Sequence, residues 1–79
     1  MPLYFFHLRD GEDTLIDGEG LELGGIEAAK ATALLQAREI ISHDALEGAI
    51  NLAQRIDVLD EAGAIICSMG FEDAVHVRR

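Results

Sequence analysis

The hydrophobic period of this chain changes twice, and that change constrains its fold more than any other feature of the sequence. Residues 3–9 alternate as a strand does, with Tyr4, Phe6 and Leu8 on one side and Leu3, Phe5, His7 and Arg9 on the other. From Ile26 the apolar positions recur at helical spacing through Ala29, Ala33, Ala37 and Ile40, with Leu34 and Ile41 widening the stripe. From Arg55 strand alternation returns through Ile56, Asp57, Val58 and Leu59. Asp60-Glu61-Ala62-Gly63 is then a turn, and residues 64–71 are apolar with a strand's period. Side chains alternate across a strand but share a helix face every third or fourth residue, so these segments cannot exchange roles.

Turn chemistry fills in the rest. Pro2 suits a strand's first position, and Asp10-Gly11 stops the first strand, whose large apolar groups on both faces place it centrally in a sheet. Residues 14–17 and 21–23 are two short apolar pieces around Gly18-Glu19-Gly20, which predicts a second strand broken by a turn or bulge and hairpinned to the first. Gly24-Gly25 permits the turn into the helix. Glu27 suits its positive first turn and can pair with Lys30, and the helix ends near residues 42–44 or frays on to Gly48. Residues 49–54 have no clear period. Ile56, Val58, Ile65, Cys67, Met69 and Phe71 form the sheet face toward the helix, and Leu59, Ala64 and Ile66 point away. The expected fold is α+β in the order strand-strand-helix-strand-strand, an antiparallel or mixed sheet with one long helix packed on one face, in a single domain over residues 1–79.

A chain of 79 residues has room for one core, and a chain of this size buries only about 60% of its unfolded surface. Cys67 is the lone cysteine, so no disulfide forms within the chain, and no Cys/His cluster offers a structural metal. Self-association is the remaining common route to stability. One helix covers only one sheet face, which leaves Leu3, Phe5, Leu59 and Ile66 as an apolar patch and candidate interface. The expectation is a homo-oligomer, most simply a dimer, formed through that face or an unpaired edge strand, with room for a protein partner. The formal charge of −9 repels phosphate backbones and anionic lipid, so neither nucleic acid nor membrane is expected as a partner. Arg55 and Arg78-Arg79 are too few to reverse that. The opening apolar run is too short for a signal peptide and no stretch approaches a membrane span, which predicts a cytoplasmic protein with Cys67 reduced.

The opening Met1-Pro2-Leu3-Tyr4-Phe5-Phe6-His7, then Asp17-Gly18-Glu19-Gly20-Leu21-Glu22-Leu23 and the Ala-rich Glu27-Ala28-Ala29 helix, resemble a family of small uncharacterised bacterial proteins. Its members begin M-P-x-Y-x-F-H and continue D-x-x-G-x-E-L into an alanine-rich helix. The likeness extends to Ile56-Asp57-Val58-Leu59-Asp60-Glu61-Ala62-Gly63 and to Phe71-Glu72-Asp73-Ala74-Val75, where the family has V-x-D-E-x-G and F-x-D-A. Gly24-Gly25 departs from the proline or serine that members commonly carry before the helix. The resemblance implies a bacterial, single-domain protein and carries no activity or catalytic residue.

Gly18-Glu19-Gly20 followed by Gly24 misses the dinucleotide-binding spacing by one residue, since Leu23 stands where glycine is required. Asp10, Glu12, Asp13, Asp17 and Glu19 make an acidic turn that could offer oxygens to a hard cation, with Asp10, Asp13, Asp17 and Glu19 the candidate ligands. Leu15 at a ligand position breaks the calcium-loop pattern, and a solvated turn is the simpler reading. His7, His43 and His76 fall in separate elements without zinc spacing. His7 lies on a strand close to Asp10 and Asp13, where a His-Asp pair can act as a general base or lock a strand end. His43-Asp44 complements the helix end. Cys67 sits in an apolar strand with no cation beside it in sequence, and no serine occupies a nucleophile elbow.

No catalytic residue and no cofactor is therefore implied. The function that fits is a non-enzymatic, self-associating accessory or protein-interaction domain. The alternatives are a small-molecule or metal-binding regulatory module using the acidic turn and His7, and an antitoxin-like acidic partner of a basic protein.

Overall fold

The computed structural model describes residues 1–78; Arg79, the last of the terminal arginine pair, lies outside the described residues. Strand β1 (Leu3–Asp10) turns through Gly11 into β2 (Asp13–Leu15), followed by β3 (Leu21–Glu22) and helix α1 (Ile26–Leu46). Strands β4 (Arg55–Leu59) and β5 (Ile65–Gly70) follow, and the short helix α2 (Phe71–Ala74) closes the order. The sheet is antiparallel throughout, ordered β2-β1-β4-β5, with β3 also paired to β1. The fold is α+β, and β1 is central as its two-sided apolar pattern requires.

The second strand is broken in the way its glycines suggest. β2 pairs residues 8–10 of β1 and β3 pairs residues 3 and 4, so residues 16–20 loop out opposite residues 5–7. Gly20 makes the return at φ +74°, pressed so close that an added Cβ would lie 3.0 Å from both Phe5 Cε1 and the Tyr4 carbonyl oxygen. Only glycine combines that dihedral with that approach.

Packing follows the two periods. Ala29, Ala33 and Ala37 are fully buried, and their small side chains let α1 lie close on Tyr4, Phe6, Ile56 and Val58 of the sheet. Ile41 continues the stripe and Leu34 and Ile40 flank it, whereas Ile26, at the helix start, is exposed. The helix runs past residue 44 to Leu46 and ends in a Schellman arrangement. The Gly48 N–H donates to the Ala45 carbonyl at 3.1 Å and the Ala49 N–H to that of Asp44 at 3.2 Å, with Gly48 at φ +92°.

Two details of the closing hairpin differ from simple alternation. The β4–β5 register shifts between Val58 and Leu59, so that Cys67 faces Val58 but Ile65 faces Leu59 and Ile66 is the extra residue. The bulge exchanges the two isoleucines: Ile66 packs against the core, and Ile65, expected toward the helix, is exposed on the other side. Phe71 is on the expected face, but it opens α2 instead of ending β5. Its N–H donates to the Gln54 carbonyl at 2.9 Å, and its ring is fully buried.

Candidate functional site

The sheet face that α1 leaves uncovered is half polar and half apolar. The polar end is built by register. His7 stands opposite Asp57 and Arg9 opposite Arg55 across β1 and β4, and Ser68 stands opposite Asp57 across β5. Asp57 is thereby surrounded on its own face and is only 1% exposed. Its carboxylate accepts hydrogen bonds from Arg9 Nε at 2.7 Å, Arg55 Nε at 3.1 Å and Ser68 Oγ at 2.6 Å. Arg9 Nη1 also donates to Thr14 Oγ1 at 2.9 Å, tying the network to β2. Burial by itself would raise the Asp57 carboxyl, but the Ser68 hydroxyl and the two guanidinium groups outweigh it and hold the group below its ordinary value.

A second carboxylate does structural work at the broken strand. Asp17 Oδ1 accepts the backbone N–H groups of Glu19 and Gly20, each at 3.1 Å, and Oδ2 accepts that of Phe6 at 3.1 Å. The Phe6 N–H would otherwise point at the gap between β2 and β3, so the side chain replaces the missing ladder bond. His7 joins the same lock, its Nδ1 accepting the Asp17 N–H at 3.2 Å. Burial again pushes the Asp17 carboxyl up, and the N–H donors of Gly20, Phe6 and Glu19, helped by His7, bring it below the usual carboxylate range. The sequence sets His7 near Asp10 and Asp13, but its Nδ1 meets the backbone N–H of Asp17 instead, a strand lock that involves no His-Asp side-chain pair.

Both shifts have one consequence. A carboxyl whose folded value lies below its unfolded value stabilises the fold fully above about pH 4, and that contribution is lost as pH falls through the folded value. The urea midpoint should therefore hold from neutrality to about pH 4 and then fall steeply, with Asp17→Asn or Asp57→Asn flattening the acid limb. A midpoint unchanged by acid would remove both groups from the stability of the fold.

The remaining acids of the turn do not converge with Asp17 on a common centre. Asp10 accepts from Asn51 Nδ2 at 3.2 Å, and neither it, Asp13, Asp17 nor Glu19 belongs to a three-ligand group among the described residues. Burial pushes the Cys67 thiol up despite the lowering effect of Lys30, which makes it a poor nucleophile. An apolar cleft of about 210 Å³ opens beside α1 where β2 stops short, lined by Leu8, Leu15, Ile16, Gln36 and Ile40 among others. Asp17, which also lines it, has both carboxylate oxygens engaged by backbone donors. No described helix is long and apolar enough to cross a membrane.

The apolar end of the uncovered face holds three of the four expected interface residues. Phe5 and Leu59 are cross-strand partners, Leu3 lies one alternation along β1, and all three are half-buried. Ile65 stands opposite Leu59 and completes the patch in place of Ile66, with 55% of its surface exposed. Beside it runs the outer edge of β5, which pairs only with β4 among the described residues. The sequence reading missed Asp57, Arg55 and Ser68. The signal within reach was the Arg55/Asp57 spacing, since residues two apart on a strand share a face.

Comparison with known proteins bears on the whole of this architecture. A family model described as a domain of unknown function (DUF6894) matches residues 3–72, from β1 into α2. No curated protein and no solved structure matches the chain.

Proposed function

The chain belongs to the DUF6894 family of domains of unknown function, so membership brings no activity with it, and we propose from its surface that it is a non-enzymatic protein-interaction domain that pairs with a second copy of itself. The observation that carries this reading is the free edge of β5. Edge strands are ordinarily blocked by charge, proline or a bulge, because their unpaired N–H and C=O groups are a template for another strand. Ile65-Ile66-Cys67-Ser68-Met69-Gly70 contains no charged residue and no proline, in a chain of which 27% is charged. The bulge at Ile66 disturbs only its first end, and residues 67–70 keep regular register.

Pairing two β5 edges about a two-fold axis makes one continuous sheet and brings the Leu3, Phe5, Leu59 and Ile65 patches to the same side of it. The backbone hydrogen bonds formed between the two β5 edges, and contacts of Ile65 across the new seam, add to what so small a core supplies. A bacterial cytoplasm, where Cys67 remains a thiol, is the compartment we propose for it.

Replacing Ile65 by Lys places a charge at this edge on a residue already exposed, so it should cost the fold within about 0.5 kcal/mol. Sedimentation should show the Ile65→Lys chain as a monomer, and Leu35→Lys, on the exposed side of α1, with the mass of the unaltered protein. An Ile65→Lys chain of unaltered mass would place any self-association elsewhere.

A further inference from the structure

We propose that the C-terminal turn of α1 is a binding site for a divalent transition cation of the zinc class, held by His43, Asp44 and Glu47. The imidazole nitrogen and the carboxylate oxygens of these residues all lie within 4.8 Å of one another. His43 Nε2 and Glu47 Oε1, one helical turn apart, are 3.9 Å from each other. In a tetrahedral zinc site with bonds near 2.1 Å, ligand atoms stand about 3.4 Å apart, so small rotamer changes in these side chains close the distance.

Asp17, Asp57, Asp60 and Glu61 spend their oxygens as hydrogen-bond acceptors within the fold. His43 and Glu47 stand 3.9 Å apart, an open pair beyond hydrogen-bond reach that can close on an ion. The Schellman turn at Gly48 fixes the backbone under them, and the negative end of the helix dipole favours a cation at this terminus.

The donor set decides the class. Imidazole selects zinc and its neighbours over calcium and magnesium, which prefer oxygen alone. Three protein ligands leave a coordination position for water or for a group from another chain. The site is separate from β5 and from the acidic turn, and stands or falls independently of the pairing proposed above.

The test is calorimetric titration of the untagged chain with zinc chloride and, separately, calcium chloride at neutral pH. One zinc ion should bind per chain, and His43→Ala and Glu47→Gln should each weaken it at least about tenfold. His7→Ala and His76→Ala should bind as the unaltered chain does, and calcium should not compete. Absence of zinc binding, binding unchanged by His43→Ala, or calcium binding as tight as zinc would each overturn the proposal, the last by showing an acidic cluster in which His43 has no part.

Discussion

Phe71→Ala should cost about 3–5 kcal/mol, the range for removing a fully buried aromatic ring from a core, and leave much of the protein unfolded. Phe71 has no exposed surface, and it opens a helix of four residues that could not stand alone. Its ring belongs to the core cluster with Ala33 and Ala37 of α1 and Ile56 and Val58 of β4. Alanines make that part of the core shallow, and they cannot reach into the cavity that loss of the ring would leave. A chain of 79 residues has a total stability of roughly 4–12 kcal/mol, so this one cavity removes about a quarter of it at the least. Urea denaturation followed by circular dichroism should show the loss, whereas Val77→Ala, at a site 63% exposed, should move stability by no more than about 0.5 kcal/mol. A Phe71→Ala cost below about 1 kcal/mol would mean that α2 is not part of the cooperative core.

Asp57→Ala should cost about 2–3 kcal/mol although the residue lies on the uncovered face, where a carboxylate substitution is ordinarily almost neutral. Breaking a buried pair by removing one partner is the damaging change, because the other charges are left behind. Here Arg9 and Arg55 are direct cross-strand neighbours, and without Asp57 they face one another across β1 and β4. The expected figure is below the full cost of an orphaned buried charge because the Arg9 and Arg55 side chains keep 29% and 52% exposure and can turn to water. Asp57→Asn retains an acceptor for Ser68 and should cost less, about 1–2 kcal/mol. Equal stability of all three proteins in urea would show the network to be ornamental.

The sequence made the elements legible because their periods do not overlap. Ala29, Ala33 and Ala37 at helical spacing, and Ile56 and Val58 at strand spacing, specify which sides meet, and these are the residues found buried together. Alternation is a count, however, and a bulge resets it. Nothing in Ile65-Ile66-Cys67 marks where the extra residue falls, so the two isoleucines exchanged faces.

The polar residues were harder for a different reason. An aspartate on an outward strand position reads as solvated, and Asp57 became buried only because a register spanning 48 residues set Arg9 against it. Asp17 was within reach: an aspartate followed by Gly-Glu-Gly is a turn whose side chain accepts the N–H groups two and three residues on. The bond from Phe6 was not, since it depends on the width of the gap between β2 and β3. His43 and Glu47 carry a helical spacing that sequence shows, but the approach of Asp44 to them needed coordinates.

Self-association through β5 is the central claim, and light scattering of the unaltered chain across a dilution series tests it most directly. A mass of two chains that persists to low micromolar concentration and falls to one only on further dilution is the predicted result. A mass of one chain at every concentration, up to hundreds of micromolar, would contradict it and leave the β5 edge without a second copy.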